Sequence, residues 1–455
     1  MRDDYTGFLA SKTPIAAAHG VEPYPTHKAM FDFQKAAVEF CLRRGRAAVF
    51  LDTGLGKTFC ELEFATQAAE ATNGRALILT PLAVARQIER EAARFGYGAF
   101  VIRDASESRQ GINICNYDRL DKLDPSVFGC VVLDESSILK SFTGKTTAAL
   151  IGGFRDTPFR LAATATPAPN DHMELGQHCE FLGVMQSNEM LARWFISDQT
   201  QMGRYRLKGH AVHSFWDWMA SWAIMAESPE DLGFDASRFV LPQLNVKRHK
   251  AIGEVKPPDG ALFIADLSAT NIHDVKRQTA DTRARAAADL VDDNGPWLIW
   301  CDTDYEADAL RRVLPEATEV RGSMPIERKE RGLADFSEGH ARVLITKPSV
   351  AGFGMNWQHC ADMIFVGRSF SYESWYQAVR RCWRFGQAKP VTAHIIVAEG
   401  EDQIGRVIDR KASDHASMKD AMRAATRRAM GRSSDVKIAY NPTHEGRLPI
   451  WLSAA

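Results

Sequence analysis

Short apolar runs alternate with helix-period segments through the first part of this chain. Runs at 47–51, 76–79, 112–115, 130–133 and 159–162 are apolar or nearly so. That is the pattern of strands buried on both faces. Segments 59–71 and 83–95 carry helical periodicity between them. The alternation predicts a parallel sheet covered by helices. The rhythm breaks over 171–240, which is rich in Met, Phe and Trp and reads as helices. There Phe215, Met219 and Trp222 share one helical face with Trp216 and Trp218 nearby, and the reading is core rather than a base-stacking platform. A Pro/Gly linker candidate follows at 254–260. Runs at 297–300, 317–320, 342–345, 363–366 and 393–397 then repeat the strand pattern.

The prediction is an α/β chain of two lobes with a helical insertion after the first. Its expected divisions are an N-terminal extension (1–24), lobe one (25–250, with a protrusion at about 171–240), lobe two (251–432) and an extended tail (433–455). A length of 455 residues accommodates this.

The net charge of −1 excludes an overall basic field, so any nucleic-acid surface must be local. One stretch qualifies: Arg406, Arg410, Lys411, Lys419, Arg423, Arg427, Arg428 and Arg432 stand against Asp409, Asp414 and Asp420. It reads equally as a solvated helix face. Eight scattered cysteines form no Cys-x-x-Cys pair, which points to a reducing compartment and away from structural zinc. His172, His178, Cys179, His210 and His213 match no metal-ligand spacing. Asp3 and Asp4 begin a segment without the apolar core of a signal peptide, and no apolar run approaches the roughly 18 residues of a membrane span.

Candidate chemistry changes the picture more. Asp52-Thr53-Gly54-Leu55-Gly56-Lys57-Thr58 follows a strand and opens a helix. In that setting backbone N–H groups close around phosphates, Lys57 reaches the β/γ-phosphates and Thr58 holds Mg. Leu51 stands where the full phosphate-loop pattern has its first glycine. A second GKT, Gly144-Lys145-Thr146, lacks a preceding strand and reads as a surface turn before a helix. Asp134 and Glu135 end a buried strand; Asp134 suits Mg binding through water and Glu135 suits deprotonating the attacking water. Upstream, Gln34 can match the N6/N7 edge of adenine with Phe33 beside the base. Far downstream, segment 377–387 is an arginine-rich helix candidate in which Arg381 and Arg384 share a face. Two guanidiniums there can reach a γ-phosphate, which suggests an ATP site split between lobes and hence a motor.

In this order the motifs resemble the superfamily-two helicases, the DEAD/DEAH-box and Swi/Snf-like ATPases. The chain looks closest to compact Swi/Snf-related DNA helicases of phages and prophages. The resemblance covers about residues 25–430. It rests on Gln34, the Gly54 to Thr58 loop, Leu79-Thr80-Pro81, Asn116-Tyr117-Asp118, Asp134-Glu135-Ser136-Ser137, Ala163-Thr164-Ala165-Thr166-Pro167-Ala168-Pro169-Asn170, Gly352 to Asn356, and 377–387.

It implies two tandem RecA-like lobes, ATP with Mg, and DNA as the partner, whether double-stranded, forked or single-stranded. Gln34 would read adenine, with Gly54, Gly56, Lys57, Thr58 and Gly354 around the nucleotide. Thr80, Pro81, Asn116, Tyr117, Gly352 and Asn356 would follow the nucleic-acid track. Thr164, Thr166 and Gln377 would couple hydrolysis to motion, and Arg381 and Arg384 would be arginine fingers. A monomer in the cytoplasm of a bacterium or phage-infected host, working beside replication or recombination proteins, completes the expectation.

Three departures stand out. Ser136-Ser137 replaces the usual Ala/Gly-His, Ala165 replaces a glycine in the coupling segment, and Arg380 replaces the usual Asp before the first finger. Helicase and double-strand translocase share every one of these motifs. RNA as substrate, and a P-loop ATPase acting on protein, are the rival readings; fingers within the chain itself argue against the second.

Overall fold

The computed structural model describes residues 15–81, 84–140, 144–169, 171–197, 205–251, 269–351, 355–398 and 402–431. Most of the expected N-terminal extension, Asn170, Gly352, Gly354 and the expected tail at 433–455 lie outside them.

Lobe one begins with α1 (Asp32–Arg44), β1 (Arg46–Leu51), α2 (Lys57–Glu70), β2 (Arg75–Thr80), α3 (Ala85–Phe95), β3 (Ala99–Val101) and β4 (Gly111–Asn116). It continues with β5 (Cys130–Asp134), α4 (Lys145–Gly153) and β6 (Phe159–Ala163). The protrusion holds α5 (Leu175–Leu182), α6 (Ser187–Trp194), β7 (Phe195–Ser197), β8 (Tyr205–Leu207) and α7 (Val212–Met219), and the chain then forms β9 (Ala223–Ala226). Lobe two comprises β10 (Leu244–Ala251), α8 (Ala269–Gln278), α9 (Ala280–Ala288), β11 (Trp297–Trp300), α10 (Asp304–Val313), β12 (Thr318–Val320) and α11 (Ile326–Ser337). It ends with β13 (Val343–Thr346), α12 (Pro348–Ala351), β14 (Asp362–Phe365), α13 (Tyr372–Val379), β15 (Val391–Ala398) and α14 (Asp402–Gly431).

Each lobe is built on one parallel sheet. Lobe one has the order β3-β4-β2-β5-β6-β1-β9 and lobe two β10-β15-β14-β11-β13-β12. Both faces of lobe one's sheet are dry. Ala48, Phe50, Leu77, Leu79, Val131 and Leu133 pack on the protrusion side. Their alternates Val49, Leu51, Ala76, Ile78, Cys130 and Val132 pack under α1, α2 and α3. This is the two-residue strand period with apolar side chains on both faces.

Three expectations change. Segment 171–240 is not purely helical: it contains the antiparallel β7–β8 pair, and β9 joins lobe one's sheet beside β1. Its aromatics are core, with Phe215, Trp216, Trp218, Met219 and Trp222 all buried. Strand β10, placed in lobe one by a boundary at 250, pairs with β15 and belongs to lobe two. And α14, although it follows lobe two, runs back onto lobe one, where Met418, Met422 and Ala425 enter the protrusion-side core. Its basic residues are largely spent there. Lys419 and Arg423 bind Glu227, Arg423 and Arg427 bind Asp231, and Arg428 binds Asp217. The solvated-face reading therefore fails for this half of the helix, as does a nucleic-acid surface built from the same side chains.

Candidate active site

The loop between β1 and α2 turns tightly through Gly54 and Gly56, at φ +93° and +78°. Both positions are also crowded. A Cβ on Gly54 would lie 3.0 Å from Phe385, and one on Gly56 would lie 2.3 Å from the Gln34 amide nitrogen. Glycine is therefore required by backbone conformation and by close approach together. Gln34 is clamped in place: its Oε1 accepts the Phe31 N–H at 2.9 Å and its Nε2 donates to Leu55 O at 2.8 Å. Phe33, expected beside the base, is buried in the core, whereas Phe31 is the exposed ring of the pair. Lys57 opens α2 with Nζ 3.4 Å from Leu51 O, and Thr58 follows it. Lys145, in the second GKT, is exposed at the start of α4.

Asp134 ends β5. Its Oδ2 accepts the Thr80 hydroxyl at 2.7 Å, and its backbone carbonyl accepts the Tyr117 hydroxyl at 2.8 Å. Thr80 and Tyr117 are buried, so their side chains brace Asp134 from behind instead of lining a nucleic-acid track. Pro81 does border the cleft between the lobes, and Asn356 is exposed. Asn116 is half-buried, with its Oδ1 enclosed and without a hydrogen bond. Glu135 sits at φ +56°, the one non-glycine residue with positive φ among the described residues. Strain of this kind, about 1–3 kcal/mol, persists where the surroundings fix a functional side chain. The Thr164 hydroxyl donates to Glu135 Oε2 at 3.1 Å and accepts the Thr166 N–H at 3.1 Å, which ties the segment after β6 to that carboxylate.

Burial, reinforced by Glu135, pushes the Asp134 carboxyl up to about 6 against the pull of Thr80 and Lys57. A third carboxylate was not anticipated. Glu61 lies one helical turn after Lys57, is wholly buried, and has no hydrogen bond at either oxygen. Burial and then Asp134 raise its carboxyl well above the ordinary range. The cluster of Glu61, Asp134 and Glu135 beside Lys57 is short of positive charge. Among the described residues no three carboxylates are arranged to hold a metal ion, so the hard oxygens suited to Mg are those of the Asp134 carboxylate and the Thr58 hydroxyl. The i,i+4 spacing from Lys57 was the available sequence signal for Glu61.

A second unanticipated partner is His178 of α5, whose Nε2 is 3.1 Å from Ser136 Oγ. Burial lowers it to about 4, so it is neutral at physiological pH. The segment that lacks the usual histidine after its acidic pair thus receives one from the protrusion.

From lobe two come the arginines. The helix α13 stops at Val379, so Arg381 and Arg384 stand on turns instead of a helical face. They still converge, donating to the same Met355 carbonyl at 3.0 and 3.4 Å. Arg381 also donates to the Gln377 carbonyl and side chain at 3.1 and 2.9 Å. Lobe two touches the phosphate-binding loop directly: Arg380 reaches Asp52 and Thr53, and Phe385 covers Gly54. Lys140, just after the acidic pair, bonds to Glu373 of α13. Gly352 and Gly354 lie outside the described residues.

This geometry separates the two GKT segments by experiment. Lys57→Ala is expected to weaken ATP binding by about 10- to 100-fold, the worth of a hydrogen bond to a charged group. Lys145→Ala should leave binding of a fluorescent ATP analogue unchanged, and the reverse pattern would relocate the site.

Residues 283–386, from α9 through the arginine turns, match the family described as Helicase conserved C-terminal domain. Among solved structures, the Sulfolobus solfataricus SWI2/SNF2 ATPase core in complex with dsDNA is similar. It is 15% identical, with 90% of this chain and 96% of that chain covered, at a TM-score of 0.43. No curated protein matches. The helicase C-terminal domain match thus falls on most of the second of the two parallel-sheet lobes, from α9 to the arginine turns.

Proposed function

We propose that this protein is an ATP-dependent DNA motor of the compact Swi/Snf-related type, acting in the cytoplasm of a bacterium or phage-infected host. It would hydrolyse ATP between its lobes to move along or remodel DNA. The observation that carries this reading is that the arginine segment of lobe two abuts the phosphate-binding loop of lobe one through Arg380 and Phe385, with Arg381 near enough to Glu135 to feel its charge. Bound Mg would supply charge neutralisation for the phosphates, held by Thr58 and Asp134. Glu135 would orient and deprotonate the attacking water, with Thr164 fixing its carboxylate. The arginines would donate to the phosphoryl oxygens as charge develops. Because Thr164 also holds Thr166, and Gln377 holds Arg381, loss of the phosphate would be felt on both lobes.

A cleft of about 870 Å³ separates α3 from α11, bordered by Pro81 and Met355 and lined by both signs of charge, Arg86, Arg90, Lys329 and Arg331 with Glu89, Glu327, Glu330 and Glu338, among others. We assign the nucleic-acid backbone to it, with Pro81 and Asn356 along the path. Contacts to the backbone instead of base edges make the motion independent of sequence.

The test is ATPase activity with single-stranded DNA, double-stranded DNA or RNA. Stimulation by DNA above that by RNA is expected, and no stimulation by any of them would sink the reading. Forked-duplex unwinding would then mark a helicase. Triplex displacement without unwinding would mark a double-strand translocase.

A further inference from the structure

Arg380 is the residue of the arginine segment that the phosphates do not explain. It is fully buried. Its Nη2 lies 3.0 Å from Asp52 Oδ2 and donates to the Thr53 carbonyl at 2.8 Å. Its Nε and Nη1 have no hydrogen-bond acceptor. The guanidinium carbon lies instead 4.9, 5.8 and 5.9 Å from the ring centroids of Trp383, Phe385 and Tyr376. A cation so enclosed is stabilised by ring faces and by its one carboxylate.

Asp52 is equally committed. Its Oδ1 accepts the Thr53 N–H at 2.7 Å and the Tyr376 hydroxyl. That hydroxyl in turn accepts from Lys419, which reaches Glu227 at 2.8 Å. Burial alone would raise the Asp52 carboxyl, but Arg380, Lys419 and Tyr376 bring it below the ordinary value. Asp52 and Thr53 are the two residues between β1 and Gly54, so they set the path by which the chain enters the phosphate-binding turn.

We propose that Arg380 is a positioning residue for the phosphate-binding loop. From lobe two it holds Asp52 and the Thr53 carbonyl, and so fixes that loop in register with Arg381 and Arg384. The cation of this pair is on lobe two, at Arg380, and its carboxylate stands across the lobe boundary, on Asp52. The proposal rests on the ATPase reading for its consequence, although the contact itself does not need ATP.

A double-mutant cycle with Asp52→Asn and Arg380→Gln tests it. Hydrogen exchange in the 53–57 loop of the ATP-free protein is read first. Both single variants should speed exchange there, the double variant no further than the faster single, with β12 unchanged. In ATPase assays each single should lose about 10- to 100-fold in kcat, the scale of a small misplacement at a reacting centre. KM should change by only a few-fold. Arg380→Lys, which keeps the charge but loses the planar group that lies among the three rings, should fall between Arg380→Gln and wild type. Independent, multiplicative effects of the two substitutions would overturn the proposal, as would loop exchange that neither substitution alters. An inactive wild-type enzyme with a coupled exchange cycle would instead overturn the ATPase reading and leave the contact standing.

Discussion

Arg384→Ala is expected to lower ATP turnover by about 10³–10⁵-fold, the usual worth of an arginine finger, while ATP affinity changes by only a few-fold. The structure distinguishes Arg384 from its neighbour. Arg381 has Nε, Nη1 and Nη2 all committed to Gln377 and Met355. Arg384 makes one long bond, at 3.4 Å, and its buried Nε has no partner. A group that must donate to charge developing in the transition state does so at least cost when its donors are free beforehand. Burial pulls both guanidiniums down to about 10, so both remain cations at neutral pH. Arg381→Ala should therefore lose activity partly through displacement of Gln377, and it should lower the unfolding midpoint, which Arg384→Ala should not. Arg384→Lys should stay impaired, since a point charge does not reproduce a planar fork. Turnover at the wild-type rate in Arg384→Ala would refute the two-lobed site.

How much of this was legible in the sequence depended on the distance over which the information is carried. The central strands β1, β2, β5, β11 and β14 announced themselves because strands buried on both faces are continuous apolar runs. Edge strand β10, with the sequence LNVKRHKA, is charged and half-exposed, so it carries no such run. Lysines and arginines on an edge strand suit its exposure and hide it from an apolar-run reading. Strand β9 was masked by the aromatic helix before it. The phosphate-binding loop and the acidic pair were readable because each is a local feature at a strand end. Thr80 bracing Asp134, His178 meeting Ser136, and Arg380 binding Thr53, 327 positions apart, are contacts made only by the folded chain. The helix period predicted a shared face for Arg381 and Arg384. The fold brings them together by a different route, through turns that converge on one carbonyl.

Replacing Asp231 with alanine is expected to destabilise the protein by about 3 kcal/mol, near the low end of the cost of breaking a buried ion pair. Asp231 is fully buried at the end of the lobe-one sheet. Its carboxylate accepts the Glu227 and Ser228 N–H groups at 2.9 and 3.2 Å, and pairs with Arg423 and Arg427 of α14 at 2.7 and 2.6 Å. Removing it strands two backbone donors and leaves Arg423 with Glu227 and Asp420. Arg427, whose side chain is 51% exposed, can turn to water, which places the cost below the upper end of the range. The loss should be concentrated where α14 meets lobe one, so amide exchange over 418–428 should accelerate in Asp231→Ala. Met418 and Met422 still hold the helix by apolar contact, so the lobes should not separate outright. Arg406→Ala, on the exposed side of α14, should change stability by no more than about 0.5 kcal/mol. A further contrast separates stability from DNA binding. If the basic residues of α14 served DNA, Arg427→Ala would shallow the salt dependence of binding by about one unit. As partners of Asp231 they should instead lower the unfolding midpoint and leave that slope unchanged.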